Sequence, residues 1–296
     1  MPQGSPGAPR RRLMVLGNSR RPGVCEAANQ LLPWIRTMAD VVVVDLEQKE
    51  DLSSQDAELT LVLGGDGAIL RAARQMAYRQ IPVLGVNLGR LGFLADLSVE
   101  AFRYWLPKVL MGEYRVTSHV MIEMYEGTAP LATMRGRLAL NDVSIFNGPP
   151  FHMLDLDLMV DGEPASRYVA DGLIISTPVG STAHCLSAGG PILGQELEAL
   201  VVTPICPHGL GNRPLVESSN RTFVIRLNSG NDQATVVLDG QESLPLKRGS
   251  EITIRKAPVR FHLVKVPGQG YFRILREKLN WGTTPNYRED RKSGTE

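Results

Sequence analysis

Four short, almost unbroken apolar runs punctuate the first ninety residues, at 13–16, 41–44, 59–63 and 82–86. Each is too short for a helix and lacks the strict alternation of a half-exposed strand, so each reads as a strand buried on both faces. Between them, residues 24–38 and 68–78 space their apolar positions at helical intervals. A further helix is expected from Ser98, with Glu100 in its first turn, to Leu110. Strands alternating with helices build parallel βαβ units, so this part is expected to be an α/β domain around a parallel sheet.

The pattern changes near Tyr114. Leu154, Leu156 and Leu158 alternate with Asp155, Asp157 and Met159, and further strands are expected at 138–146, 173–176, 223–227, 235–238 and 251–255. Glycine and proline separate them, which predicts a second, mostly β domain. A chain of 296 residues is long for one core, which fits two units. The expected organisation is a loose basic N-terminus over 1–12, an α/β domain over 13–113, a β-rich domain over 114–274, and a loose tail over 285–296. A short helix is expected over 275–281, in a segment, 275–284, expected to return to the first domain. No internal repeat is visible.

The formal net charge is +1, from 32 basic and 31 acidic residues. Such a balance offers no general attraction for nucleic acid or for an anionic membrane. Three widely spaced cysteines, Cys25, Cys185 and Cys206, suggest neither a disulfide framework nor a zinc site, and fit free thiols in a reducing cytoplasm. Arg10, Arg11 and Arg12 are followed by no apolar run of the secretory kind, and no stretch of about 18 apolar residues occurs.

Four motifs carry chemistry. Gly64-Gly65-Asp66-Gly67 follows a buried strand and opens a helix, expected to begin at Ala68. A helix N-terminus presents free N–H groups and a positive dipole end to phosphate, and glycines let the backbone approach an anion. Asp66 there either caps the helix or handles a proton or metal. The motif is neither a P-loop nor the Gly-x-Gly-x-x-Gly fingerprint. The run from Gly85 through Asn87, Gly89 and Gly92 to Leu94 is a second loop built for close approach. Asn141-Asp142 pairs an amide with a carboxylate, which can grip sugar hydroxyls or simply turn the chain. The block from Asp171 to Pro191 ends a strand in Thr177-Pro178-Val179-Gly180, then starts a helix of small residues at Ser181 or Thr182. His184, one turn in, either stacks on a base or packs.

Taken together in order and spacing, GGDG, NLGRLGFL, ND, DGLIISTPVGSTAHCLSAGGPI, TPICPHGLGNRPLV at 203–216 and Asp239-Gly240-Gln241 resemble the NAD kinase family, whose members use ATP or polyphosphate. The resemblance covers roughly 13–282. It implies a Rossmann-like, phosphofructokinase-like α/β domain and a C-terminal β domain with NAD between them. It also implies transfer of a terminal phosphoryl group to the 2′-hydroxyl of the adenosine ribose. Asp66 matches the catalytic carboxylate, Gly67 its neighbour, and Arg71 a phosphate-side contact. Asn141 and Asp142 match a ligand-gripping pair, and His152 a histidine near the dinucleotide. Asp171 and the 182–187 segment (Thr182, Ala183, His184, Cys185, Leu186 and Ser187) match residues around the adenine and amide ends. Gln241 matches a late polar contact. Mg²⁺ is implied with the donor, and a homodimer or homotetramer as the assembly.

The chain departs from the family in carrying Asp142 for the usual glutamate, Val179 for a threonine, His184 for a tyrosine, and Val169 where some relatives have an arginine. These bear on affinity and on the choice between NAD and NADH. A lipid kinase on the same GGDG core, and a dinucleotide sensor without catalysis, are the other readings. The long 171–191 block counts against the first and the intact Asp66 against the second.

Overall fold

The computed structural model describes residues 10–89, 91–127, 135–209, 211–230 and 233–282. Residues 1–9 and the expected tail at 285–296 therefore lie outside the described residues, as do Arg90 and Leu210 of the motifs. The first part runs β1 (Arg12–Leu16), α1 (Val24–Arg36), β2 (Asp40–Asp45), β3 (Leu59–Leu63), α2 (Asp66–Gln75), β4 (Val83–Val86) and α3 (Val99–Leu110). Strands β5 (Arg115–Glu126), β6 (Arg137–Ala139), β7 (Asp142–Phe146), β8 (Leu154–Val160), β9 (Glu163–Ala170) and β10 (Gly172–Ser176) follow. Next come a 3₁₀ turn (Gly180–Thr182) and α4 (His184–Ser187). The chain continues with β11 (Ala199–Ile205), β12 (Leu215–Ser218), β13 (Phe223–Ser229), β14 (Thr235–Leu238), β15 (Glu242–Pro245), β16 (Glu251–Lys265) and α5 (Tyr271–Leu279).

The first four strands pair in parallel, in the order β2-β1-β3-β4, as the βαβ pattern predicts. Alternate residues supply two cores. Leu13, Val15, Leu61 and Leu63 face Leu31 of α1 and Phe102 of α3, whereas Met14, Leu16 and Val62 face Ile69 and Ala73 of α2. Ser98 caps α3, its hydroxyl accepting the Ala101 N–H at 3.2 Å. One expectation fails here. The four valines of 41–44 form the edge strand, and Val42 is 44% exposed. Valine runs reflect β-propensity as much as burial on both faces. Arg12 is also not part of a loose leader, since it opens β1, and Arg10 pairs with Asp40.

The long strand β16 ties the two parts together. Its Leu263 pairs in parallel with Val83 of β4, its first residues pair antiparallel with β13, and β5 runs alongside nearly its whole length. One sheet thus extends β2-β1-β3-β4-β16-β13-β8-β9, with β5 and β6 branching from it. The sequence pattern stopped this strand at Arg255 because Pro258 reads as a breaker. The strand instead absorbs the proline in a register shift between Lys256 and Arg260. The second sheet is wholly antiparallel, in the order β12-β11-β10-β7-β14-β15. Between the sheets lies a third core that includes Ile122, Ile145, Leu156, Leu173, Phe223 and Val236. The expected strand 138–146 divides, because β6 belongs to the first sheet and β7 to the second, and the chain changes sheets at Leu140 and Asn141.

Candidate active site

Helix α2 begins at Asp66, two residues earlier than expected, with Gly65 as its cap. The Asp66 carboxylate turns toward the second glycine-rich loop. Its Oδ2 accepts the Phe93 N–H at 2.8 Å, and its Oδ1 accepts those of Leu94 and Ala95 at 2.9 and 3.0 Å. The approach depends on Gly92, where an added Cβ would sit 2.1 Å from Oδ1. Helix α5 covers this loop by packing Ile274 and Leu275 on Phe93. Its Lys278 ammonium lies 3.5 Å from Asp66 Oδ2 and 4.4 Å from the centre of the Phe93 ring. The helix runs 271–279, earlier than the 275–281 read from the sequence.

Beside GGDG opens a cleft of about 910 Å³. Gly64, Gly65, Gly67 and Gly89 form its backbone wall, and Asn18, Arg21, Arg71, Asn87 and Gln241 contribute polar side chains. Arg71 donates to the Gln48 carbonyl at 3.4 Å, while its buried Nε has no hydrogen-bond partner. A buried guanidinium nitrogen without an acceptor, beside glycine amides and a helix N-terminus, suits an anion.

A small cavity of about 110 Å³ lies between β7 and the β14–β15 hairpin, lined by Asn141, Asp142, Ser144, Phe146, Ala183 and His184 among others. Asp142 is buried and accepts the Ser144 hydroxyl at 2.7 Å, and burial raises its pKa. The His184 ring stacks on Phe146, 5.2 Å between centres and 13° from parallel. Gly180 lets the following turn approach Asn141 closely, since a Cβ there would lie 2.1 Å from the Asn141 carbonyl oxygen.

The structure brings GGDG and the Asn-Asp pair together through one turn. Asp239 accepts the N–H groups of Leu140, Asn141 and Asp142, at 3.1, 2.7 and 3.3 Å. Gln241, two residues on, donates to the Gly67 carbonyl at 2.8 Å and accepts from Arg74 at 2.8 Å. Sequence reasoning named Gly67, Asn141, Asp142 and Gln241 among the site residues, and gave Asp239 and Arg74 no role. Asp239 stood in a recognised motif, but an Asp-Gly between strands reads simply as a hairpin turn.

The other predicted residues are spread more widely. The 182–187 segment is not one helix. Ala183, at φ −104° and ψ −129°, divides the 3₁₀ turn from α4. The Ser181 and Thr182 hydroxyls donate to the Pro178 and Val179 carbonyls, and such local bonds compete with helix continuation. Cys185 is fully buried among Ile174, Leu193 and Val201, with burial raising its pKa. Leu186 is half-buried and Ser187 exposed. Asp171 is half-buried at the start of β10, its N–H bonded to the Ile205 carbonyl. His152 is exposed on the loop after β7 and lines neither cavity.

Comparison with known proteins identifies the family. Residues 45–114 match the family model for the ATP-NAD kinase N-terminal domain, and residues 140–266 that for the C-terminal domain. The chain is 46% identical over 270 residues to an NAD kinase of Rhodopirellula baltica, covering 91% of this chain and 86% of that protein. It is 38% identical to one of Geotalea daltonii, over 92% and 99% of the two chains. Among solved structures, a yeast NADH kinase complexed with NADH superposes with a TM-score of 0.85 at 23% identity, covering 95% of this chain and 91% of that one, a likeness of fold. An Archaeoglobus fulgidus NAD kinase in complex with ATP superposes with a TM-score of 0.74 at 30% identity, over 91% and 98%. Two family models spanning both halves, together with relatives similar across nearly the whole length, establish that the chain belongs to the NAD kinase family.

Proposed function

We propose that this protein phosphorylates NAD, moving the terminal phosphoryl group of ATP to the 2′-hydroxyl of the adenosine ribose and so making NADP. The observation that carries the reading is the hydrogen-bonded path from Gly67 through Gln241 and Asp239 to Asn141 and Asp142. It joins a phosphate-binding helix start to a sugar-gripping pair 75 residues away in sequence.

In this reading the glycine-walled cleft takes the donor phosphates, with Arg71 and the α2 N-terminus offsetting their charge. Asn141 and Asp142 hold the ribose, and Phe146 with His184 offers a flat surface to a ring of the dinucleotide. Asp66 receives the hydroxyl proton. A carboxylate has about four lone-pair positions, and three N–H groups occupy three of them. The position left on Oδ2 is where the hydroxyl donates, near the Lys278 ammonium. The backbone bonds hold the carboxylate in one orientation, so little freedom remains to be lost in the transition state. Among the described residues, no group of three or more His, Cys, Asp or Glu side chains could hold a metal. The resemblance implies Mg²⁺ on the donor phosphates, where it would supply charge neutralisation. No helix of the described residues is long and apolar enough to cross a membrane. A cytoplasmic enzyme of NADP biosynthesis, assembled as a dimer or tetramer, completes the proposal. Asp171, His152 and the rest of the 182–187 segment are assigned to the far ends of the dinucleotide by resemblance alone.

The test is a coupled assay with NAD, ATP and Mg²⁺, in which an NADP-specific dehydrogenase reports product. General-base help is worth about 10²- to 10⁴-fold, so Asp66→Asn should bind NAD and lose at least about a hundredfold in kcat. Near-wild-type turnover would remove Asp66 from its role. Signal with polyphosphate or NADH, and none with ATP and NAD, would reassign donor or acceptor.

A further inference from the structure

The turn between β14 and β15 touches both halves of the site, with Gln241 lining the glycine-walled cleft and Asp239 the small cavity beside β7. Asp239 and Gly240 both take positive φ, 52° and 64°, and the Gln241 N–H closes the turn on the Leu238 carbonyl. This mirrored geometry matches the twist of the flanking strands. It aims the two side chains apart. Asp239 reaches back to the point where the chain changes sheets, and its carboxylate satisfies the three N–H groups of Leu140, Asn141 and Asp142, which no strand pairing could serve. Gln241 reaches forward to Gly67 and Arg74 of the Asp66 helix. Arg74 closes the loop by donating to the Leu238 carbonyl at 3.3 Å.

We infer that the 239–241 turn is a positioning element for phosphoryl transfer: Asp239 sets the backbone of the ribose-gripping pair, and Gln241 with Arg74 fixes that pair against the helix bearing Asp66. The inference rests on the NAD kinase reading of the site. It assigns each half a different kinetic signature. Disturbing Asp239 loosens the grip on the dinucleotide and moves its KM. Disturbing Arg74, which lines neither cavity, leaves the grip intact but lets it shift relative to Asp66, which moves kcat.

A pH signature accompanies the first effect. Asp239 is almost wholly enclosed, and burial pushes its carboxyl up to about 7, the nearby Asp142 carboxylate adding to the rise while the Asn141 and Leu140 amides and Arg74 oppose it. Around these, His184 faces Asp142, and Arg71 and Glu242 face Arg74. The ionised form accepts all three N–H groups, and protonation at lower pH removes part of that capacity. The KM for NAD in the wild type should therefore rise as pH falls from 8 to 6.

The experiment measures kcat and KM for NAD at saturating ATP, from pH 6 to 8, in wild type, Asp239→Asn, Arg74→Met and the double variant, with folding checked by circular dichroism. Expected are a KM for NAD raised at least tenfold and less dependent on pH than in wild type in Asp239→Asn, and a kcat lowered at least fivefold with KM nearly unchanged in Arg74→Met. The double variant should lose no more than the product expected for one shared element, that is, less than the two losses multiplied. A folded Asp239→Asn protein with the wild-type KM and pH profile would overturn the inference. If that variant does not fold, wild-type kcat in Arg74→Met overturns it by itself. A wild-type protein that makes no NADP overturns the functional reading together with the inference, whereas an active wild type with insensitive variants overturns the inference alone.

Discussion

At the scale of single residues, the site depends on how closely backbone can approach a carboxylate. The three N–H groups on Asp66 come from consecutive residues of a loop that can pass only because position 92 has no side chain. Gly92→Ala should therefore push the loop or the carboxylate aside by roughly an ångström. Displacements of that size cost about a hundredfold in rate. Steady-state kinetics with NAD and ATP would read it as a fall in kcat, while the thermal midpoint stays close to wild type. Unchanged kcat would mean that Asp66 does not need the loop. Asp66, Asn141 and Asp142 could be singled out in the sequence because their motifs stand in the order and spacing of a known family, although each motif alone also reads as a helix cap or a turn. Asp239 was not, since its work is done through three backbone groups that no side-chain pattern reveals. Lys278 was hidden for another reason. It lies 212 residues from Asp66, and only tertiary packing brings the two together.

At the scale of elements, the strands that carry the site are held from behind by a buried polar knot. Glu123 on β5 is 1% exposed and accepts from Arg255 of β16 at 2.7 Å and from the Tyr78 hydroxyl, just past α2, at 2.6 Å. Burial and the neighbouring carboxylate raise the Tyr78 pKa, so the hydroxyl stays a donor. Bonds to a charged group contribute about 1.5–3 kcal/mol, and Glu123→Gln, which keeps the shape but not the charge, should lower stability by roughly that amount in urea denaturation. A change below about 0.5 kcal/mol, the scale of an ordinary surface substitution, would show the knot to be incidental. The elements themselves were largely readable, because parallel buried strands and amphipathic helices have distinct periodicities. The errors fell where tertiary context overrides local pattern: at the edge strand β2, at Pro258 inside β16, and at the hydroxyl-rich 180–187 segment.

At the scale of the whole molecule, the two expected domains are not separable in one respect, because β16 completes the parallel sheet and also enters the β-rich core. Unfolding should therefore be cooperative across both. The chain has three tryptophans, and Trp34, Trp105 and Trp281 all lie on or next to the helices α1, α3 and α5. Far-ultraviolet circular dichroism sums the strands and helices of both parts, so it follows regions that the tryptophans do not. Fluorescence and dichroism should give coincident denaturation curves, as a two-state transition requires. A tryptophan transition that precedes loss of the sheets would show that the α/β part melts independently.

The same strand sets an order for synthesis on the ribosome. β4 emerges early, and the backbone groups along its open edge wait for a partner that leaves the ribosome roughly 180 residues later, about 10–35 s at ordinary elongation rates. During that interval the nascent chain carries an unpaired parallel edge flanked by apolar faces, the kind of surface on which strands from other chains can add. The N-terminal half of this protein should therefore gain from a holding chaperone until its penultimate element arrives, and shortening the delay by circular permutation, so that β16 precedes β1, should reduce aggregation during expression.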